Sequence, residues 1–276
     1  MKNLIRRSLT GIIYVAVVLC GLSYPYAFPG VFGLIVGLAL WEFYGLVRHY
    51  GDASLKRLPG TVGGVYLFFA CYAYANGWMN GTLFLPYFLF LMFVFISEMY
   101  AHSRNPIHNW AFVLLGQVVC AAFSLLNFII FRPAAGEAAG VFTPLPALAL
   151  FVFVWLNDTC AYLVGSKFGR RRLFERISPA KSWEGFWGGL VAVLASSQIF
   201  AFYYQEISWY HWLGISATIV VFATWGDLSE SLFKRTLGIK DSGTLLPGHG
   251  GMLDRFDSIL MAIPALYIYL RLFIQN

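Results

Sequence analysis

Charge is what this sequence has least of: Asp, Glu, Lys and Arg make up 12% of its 276 residues, about half the share of a soluble globular chain. Together with 59% hydrophobic residues and a mean hydropathy of +0.68, that scarcity excludes a soluble enzyme. Cysteine is scarce too. Cys20, Cys71, Cys120 and Cys160 lie in apolar runs without a CxxC or Cys/His spacing, so they read as small buried hydrophobes rather than metal ligands or disulfides. The N-terminal stretch MKNLIRRSLTGIIYVAVVLCGLSYP places basic residues before an apolar run but lacks a small-residue cleavage site. It reads as a first helix, not a removable leader. Internal repeats and low-complexity segments are absent, and no GxxxxGK[ST] phosphate loop occurs.

What is present is a succession of apolar runs, each long enough to cross a hydrocarbon layer about 30 Å thick at about 1.5 Å per residue. Backbone groups in lipid must pair within the chain, so the expected fold is all-α, polytopic and membrane-embedded. Nine candidate spans cover about 8–24, 28–48, 61–77, 83–100, 110–131, 144–165, 183–204, 209–226 and 254–273. With the N-terminus inside, all 19 Lys and Arg except Arg132 and Arg271 fall on the inner side. That asymmetry sets a cytoplasmic N-terminus and an outer C-terminus. The expected organisation is an N-terminal scaffold, residues 1–145, and a C-terminal catalytic region, 146–276, forming one integral unit.

Acidic residues are unevenly spread. Glu42 and Glu98 sit near the inner ends of spans two and four, where a carboxylate faces the bundle interior for function or is held as a paired or snorkelling structural group. Nine of the 13 acids follow residue 157. Asp158, Glu184, Asp227, Asp254 and Asp257 are all expected at inner helix ends, giving a polar cavity facing the cytoplasm. Asp254 and Asp257 are three apart at an expected helix start and would share a face. Such a pair suits a divalent cation with oxygen ligands, although capping accounts for Asp254 alone. Capping does not account for Asp227, at the opposite kind of helix end. GHGG, Gly248 to Gly251, can bring backbone amides to a phosphate, or simply turn the chain. In Gly165 to Phe186, the basic run Arg170 to Arg172 suits a membrane surface, while Ser178, Lys181, Ser182 and Glu184 suit a polyphosphate.

The ordered set Ser231, Lys234, Arg235, Lys240, Asp241, Gly243, Leu246, Pro247, His249, Gly250, Gly251, Asp254, Arg255 and Asp257 closely resembles the signature of the bacterial phosphatidate cytidylyltransferases, or CDP-diacylglycerol synthases. NDTCAYLVGSKFG (Asn157 to Gly169) and SPAKSWEGFWGG (Ser178 to Gly189) extend the likeness over most of residues 155–260. Cys160, where many relatives have glycine, is a small departure. The resemblance implies that CTP and phosphatidate give CDP-diacylglycerol and pyrophosphate at the inner membrane of a bacterial cell. It also implies Mg²⁺, with a second, monovalent cation (K⁺) beside it, a homodimer, contact with membrane lipid and no nucleic-acid partner.

By the same resemblance, Asp227 and Asp254 are the principal metal ligands and Asp257 is a ligand or lies just behind one. Asp158 and Asp241 are further acidic members. Lys234 and Arg235 hold the lipid phosphate, Ser178, Lys181, Ser182 and Glu184 hold CTP, and Ser231 and Lys240 also bind substrate. His249, Gly250 and Gly251 shape a phosphate cradle, and Asn157 and Arg255 complete the substrate contacts. A CTP-using lipid kinase would release CDP instead of pyrophosphate, and a secondary transporter would place its charges near mid-membrane. A CDP-alcohol phosphotransferase is disfavoured because DGxxAR is absent.

Overall fold

The computed structural model describes residues 2–50, 53–132, 140–243 and 250–274, and side chains from residue 9 onward. The chain divides into two compact units, one formed by Met1–Pro144 with Leu237–Arg255, the other by Leu145–Thr236 with Phe256–Asn276.

The first unit holds α1 (Lys2–Ser23), α2 (Ala27–Tyr50), α3 (Arg57–Ala75), α4 (Leu85–Ala101) and α5 (Pro106–Ile130), then a ribbon of β1 (Phe131–Arg132) and β2 (Val141–Phe142). A 3₁₀ turn, Gly81–Phe84, leads into α4. Local chemistry marks the ends. Asn105 caps α5 by accepting the His108 amide at 3.2 Å, with Pro106 supplying the fixed φ of a first helical residue. Phe28, Phe32, Phe68, Tyr72 and Phe131 pack as an aromatic core, with ring centroids of Phe28 and Phe32 4.9 Å apart. On α4 the only buried residue is Val94, as expected of a helix that faces lipid nearly all round.

Some buried polar groups in this apolar unit are tied together in networks, as a lipid surrounding requires. Gln117 Nε2 donates to the Tyr44 hydroxyl and to the Gly60 carbonyl, each at 2.8 Å, and Tyr44 in turn donates to the Val113 carbonyl at 3.0 Å. The tyrosine ring fits because Gly60 and Gly116 lack a Cβ, which would come within 2.6 and 2.4 Å of it. Gln117→Ala leaves the Gly60 carbonyl without that donor and is expected to cost about 1–3 kcal/mol. Thermal unfolding in detergent should fall while turnover per folded molecule stays at the wild-type value.

Glu98 is held structurally. It accepts from the Ser103 hydroxyl and, at 2.6 Å, from Asn109 Nδ2, while Asn109 also bonds Ser54 through its own amide.

The second unit holds α6 (Leu145–Phe168), a hairpin of β3 (Arg172–Phe174) and β4 (Ser178–Ser182), then α7 (Trp183–Tyr203), α8 (Trp209–Thr236) and α9 (Asp257–Phe273). Glycines set the spacing of α6 and α7. A Cβ at Gly185 would lie 2.7 Å from the Ala161 carbonyl, one at Gly188 2.6 Å from Val164, and one at Gly189 2.4 Å from Asn157. Such small residues let helix backbones approach where lipid offers no hydrophobic drive.

Among the described residues seven helices are long and apolar enough to cross a membrane, namely α2, α3, α4 with its preceding turn, α5, α6, α7 and α8. The apolar part of α1, Leu9–Ser23, and the 17-residue α9 are shorter. The architecture is that of a polytopic all-α membrane protein, as the composition implies.

Two local expectations are corrected. The eighth span was expected to end near residue 226, with Lys234 and Arg235 in a loop; α8 runs on to Thr236 and carries both in its last turn. Pairs spaced four apart, Asp227 with Ser231 and Glu230 with Lys234, bond along the helix, and cations at its C-terminal end oppose the dipole. Asp254 and Asp257 were expected on one helix face. Instead Asp254 lies in a 3₁₀ turn, Leu253–Arg255, and α9 starts at Asp257 after Phe256.

Candidate active site

The sequence between α6 and α7 reads as a basic loop, but it forms a hairpin in which Arg172 pairs with Ser182 and Phe174 with Ser178. Two contacts fix its base. Ser182 Oγ accepts the Gly185 amide at 3.2 Å, capping α7. The Glu184 carboxylate accepts the backbone N–H groups of Arg170 and Arg171 at 3.1–3.2 Å. Glu184 is thereby occupied in folding the chain and is not among the residues lining the cavity described next.

Under the hairpin lies a cavity of about 590 Å³, within the usual range for a small-molecule site. Asn157, Asp158, Ser178, Lys181, Ser182 and Asp227 line it, so six of the residues singled out in the sequence meet here. Arg172, Tyr162 and Thr224 also line it. These three lacked a readable signal, since a basic run, a helical tyrosine and a helical threonine each have ordinary uses.

Its walls differ in charge: the hairpin contributes Arg172 and Lys181, and the helices contribute Asp158 and Asp227. The walls meet where the Lys181 ammonium bonds Asp227 Oδ2. The other oxygen, Oδ1, accepts from Ser231 Oγ at 3.2 Å, which places Ser231 behind Asp227.

Asn157 is 4% exposed, and its Oδ1 has no hydrogen-bond partner. An unsatisfied buried amide oxygen costs about 1–3 kcal/mol, a cost that a polar ligand can relieve.

Gly226, beside Asp227, explains why a second aspartate comes near. Its missing Cβ would stand 2.7 Å from the Asp257 carbonyl oxygen and 2.9 Å from that of Ser258. The start of α9 therefore lies directly on α8. Asp257, half-buried, is close enough to Asp227, Glu230 and Asp158 to be repelled by all three. Glu230 is buried and pairs with Lys234 at 2.7 Å, with 12% of the lysine side chain exposed. Four carboxylates thus share this region with the ammonium groups of Lys181 and Lys234. The surplus negative charge and the all-oxygen donors fit a hard divalent cation. Among the described residues no three such side chains are already drawn together as a cage.

Arg235 is exposed at the end of α8. Lys240, Asp241, Gly250, Gly251, Asp254 and Arg255 belong to the other unit. There Lys240 and Asp241 are exposed, while Asp254 is buried and accepts the amides of Ser242 and Gly251 at 2.8–3.1 Å. Leu246, Pro247, Gly248 and His249 lie outside the described residues.

A helical membrane protein with an amphoteric polar cavity between its helices defines the class. The Cytidylyltransferase family model matches residues 5–273, and the chain belongs to that family. It is 30% identical to the phosphatidate cytidylyltransferase of Haemophilus influenzae, over 94% of this chain and 96% of that protein. A shorter alignment with the phosphatidate cytidylyltransferase of Bacillus subtilis shows 48% identity over 44% of this chain and 46% of the other. The enzyme of the same name from Staphylococcus haemolyticus is 46% identical over 45% and 48%. The chain is a nucleotidyltransferase.

Proposed function

We propose that this chain transfers the cytidylyl group of CTP to phosphatidate, releasing pyrophosphate, in the cavity under the hairpin. The observation that carries the reading is the division of that cavity into a cationic hairpin wall and an anionic helix wall, joined at Lys181 and Asp227. Family membership and the full-length relative support the choice of substrates.

The reaction joins two anions. A phosphatidate oxygen forms a bond to the α-phosphorus of CTP as the bond from that phosphorus to the bridging oxygen breaks, and the electron pair leaves with pyrophosphate. Phosphatidate is already ionised at neutral pH, so the barrier is charge and alignment rather than proton removal. Arg172 and Lys181 neutralise the polyphosphate, and Ser178 and Ser182 offer hydroxyls to it, with Asn157 in the same cavity lining. Asp227 holds Lys181 in place and, with Asp257, would hold Mg²⁺, while Asp158 adds negative charge to the same wall. Bound there, Mg²⁺ would supply Lewis-acid stabilisation of the charge that develops on the phosphoryl oxygens. Asp254, Asp241, Lys240, Arg255, His249 and a monovalent cation are assigned to the reaction by the family resemblance alone. The skew of Lys and Arg supports a cytoplasmic site and N-terminus, and the bacterial relatives support an inner-membrane enzyme of a bacterial cell. A homodimer is proposed on resemblance alone.

Lys234 and Arg235, at the end of α8, are proposed to receive the lipid phosphate. Lys234 also neutralises buried Glu230, so removing it confounds binding with stability. Arg235→Ala is the cleaner test. It should raise the KM for phosphatidate about tenfold, equivalent to about 1.4 kcal/mol, and leave the KM for CTP within about threefold. The reverse pattern would exchange the two substrate sites. Pyrophosphate release, measured with each nucleotide and lipid in turn, tests the activity itself; release of CDP would point to a kinase.

A further inference from the structure

Glu42 lies on a membrane helix, outside every motif that pointed to the chemistry, and is bonded to one of them. Its Oε1 accepts from the Ser242 hydroxyl and, at 3.3 Å, from the Leu253 amide; its Oε2 accepts the Met252 amide at 2.7 Å. Asp254 grips the same two strands of chain from the other side, accepting the amides of Ser242 and Gly251. Two carboxylates, one from α2 and one from the segment itself, therefore clasp residue 242 to residues 251–253. Tyr14 on α1 adds a bond to the Arg255 carbonyl at 3.2 Å.

The glycines here follow from that clasp. A Cβ at Gly251 would lie 1.8 Å from Glu42 Oε1, and one at Gly243 would lie 3.1 Å from Glu42 Cδ. Gly250 has φ +80°, and its Cβ would approach Asp254 Oδ2 to 2.4 Å. Each glycine gives a carboxylate room to reach backbone N–H groups.

We infer that Glu42 is a positioning residue for cytidylyl transfer, fixing the segment that carries Asp254. The inference rests on the proposed part of Asp254 in the reaction. Three hydrogen bonds to one carboxylate, two of them from consecutive amides, set the backbone just before Asp254. A group that acts on the transition state loses about a hundredfold in rate when displaced by about 1 Å. Glu42 touches no substrate in this account. Its removal therefore acts on kcat rather than on either KM.

The test compares Glu42→Gln, Ser242→Ala, their double variant and Asp254→Asn, each purified in detergent and normalised to folded enzyme by gel filtration and thermal unfolding. Glutamine keeps one carbonyl acceptor and puts an amide donor where the second oxygen accepts. It should lower kcat per folded molecule at least tenfold, with both KM values within about threefold. Ser242→Ala should show a smaller loss of the same kind. The double variant should be no worse than Glu42→Gln, because both changes open one clasp. Wild-type kcat in folded Glu42→Gln, beside an inactive Asp254→Asn, overturns the positioning role. So does a loss that tracks only the fraction folded, or losses that multiply in the double variant. Wild-type turnover in Asp254→Asn instead removes the reading of Asp254 on which the inference stands, whatever Glu42 does.

Discussion

Asp227→Asn should cut pyrophosphate release about a thousandfold while leaving the fold intact. Asparagine has nearly the same shape and keeps an acceptor for Ser231, which now bonds Asp227 Oδ1. It loses the negative charge that holds Lys181 on the cavity wall and would hold the divalent cation. The two partners are 28% and 26% exposed at their side chains, so water screens the pair and its loss costs little stability. A preorganised charge aimed at a transition state, by contrast, is worth roughly 10²–10³ in rate, and Asp227 acts both through Lys181 and through the cation. The measurement is turnover and thermal unfolding of the same detergent preparation. Retention of a tenth of wild-type turnover would remove Asp227 from the mechanism.

Gly226→Val should lose both stability and activity. A Cβ at this position stands 2.7 Å from one carbonyl oxygen of α9 and 2.9 Å from the next. Both are backbone atoms, which cannot rotate aside as a side chain can, so α8 and α9 must separate. Overpacking of this kind costs about 1–3 kcal/mol. Separation also carries Asp257 away from Asp227, and turnover per folded molecule should fall at least about a hundredfold. Gly30→Ala is the control. No atom lies within 4 Å of a Cβ there, and the residue is inside α2. That exchange should be neutral or stabilising by up to about 1 kcal/mol. Equal damage from the two substitutions would show that Gly226 has no special place at the helix contact.

Much of the architecture can be read directly because its cause is local. An apolar run longer than a bilayer is thick has few alternatives; the nine expected spans fall on nine α-helices among the described residues, of which seven are long and apolar enough to cross a membrane. Where charge enters, local reasoning misjudged the structure. Asp227 to Arg235 looks like the polar sequence after a span, yet it remains helical, supported by the Glu230–Lys234 ion pair and the Ser231–Asp227 hydrogen bond, each spaced four apart. The hairpin of Arg172–Phe174 with Ser178–Ser182 has no strong strand alternation, and its closure depends on Glu184 accepting two amides from across the turn. Glu184 looked suited to a nucleotide when read along the chain, but the fold uses it as a latch. Of the candidate residues, Asn157, Asp158, Ser178, Lys181, Ser182 and Asp227 do line one cavity, although they span 71 positions of chain numbering from 157 to 227.

By itself, the amino-acid order determined that this chain is helical, resides in a membrane and carries the residues of a cytidylyltransferase, since composition, run length and motif order are properties of the chain alone. Only the tertiary structure decided which acids meet Lys181, which serve the backbone, and that Glu42 on α2 grips the segment around Ser242 and Met252. The reason is physical: a carboxylate takes whichever donors the packed backbone brings to it, and those donors come from residues as many as 211 positions away.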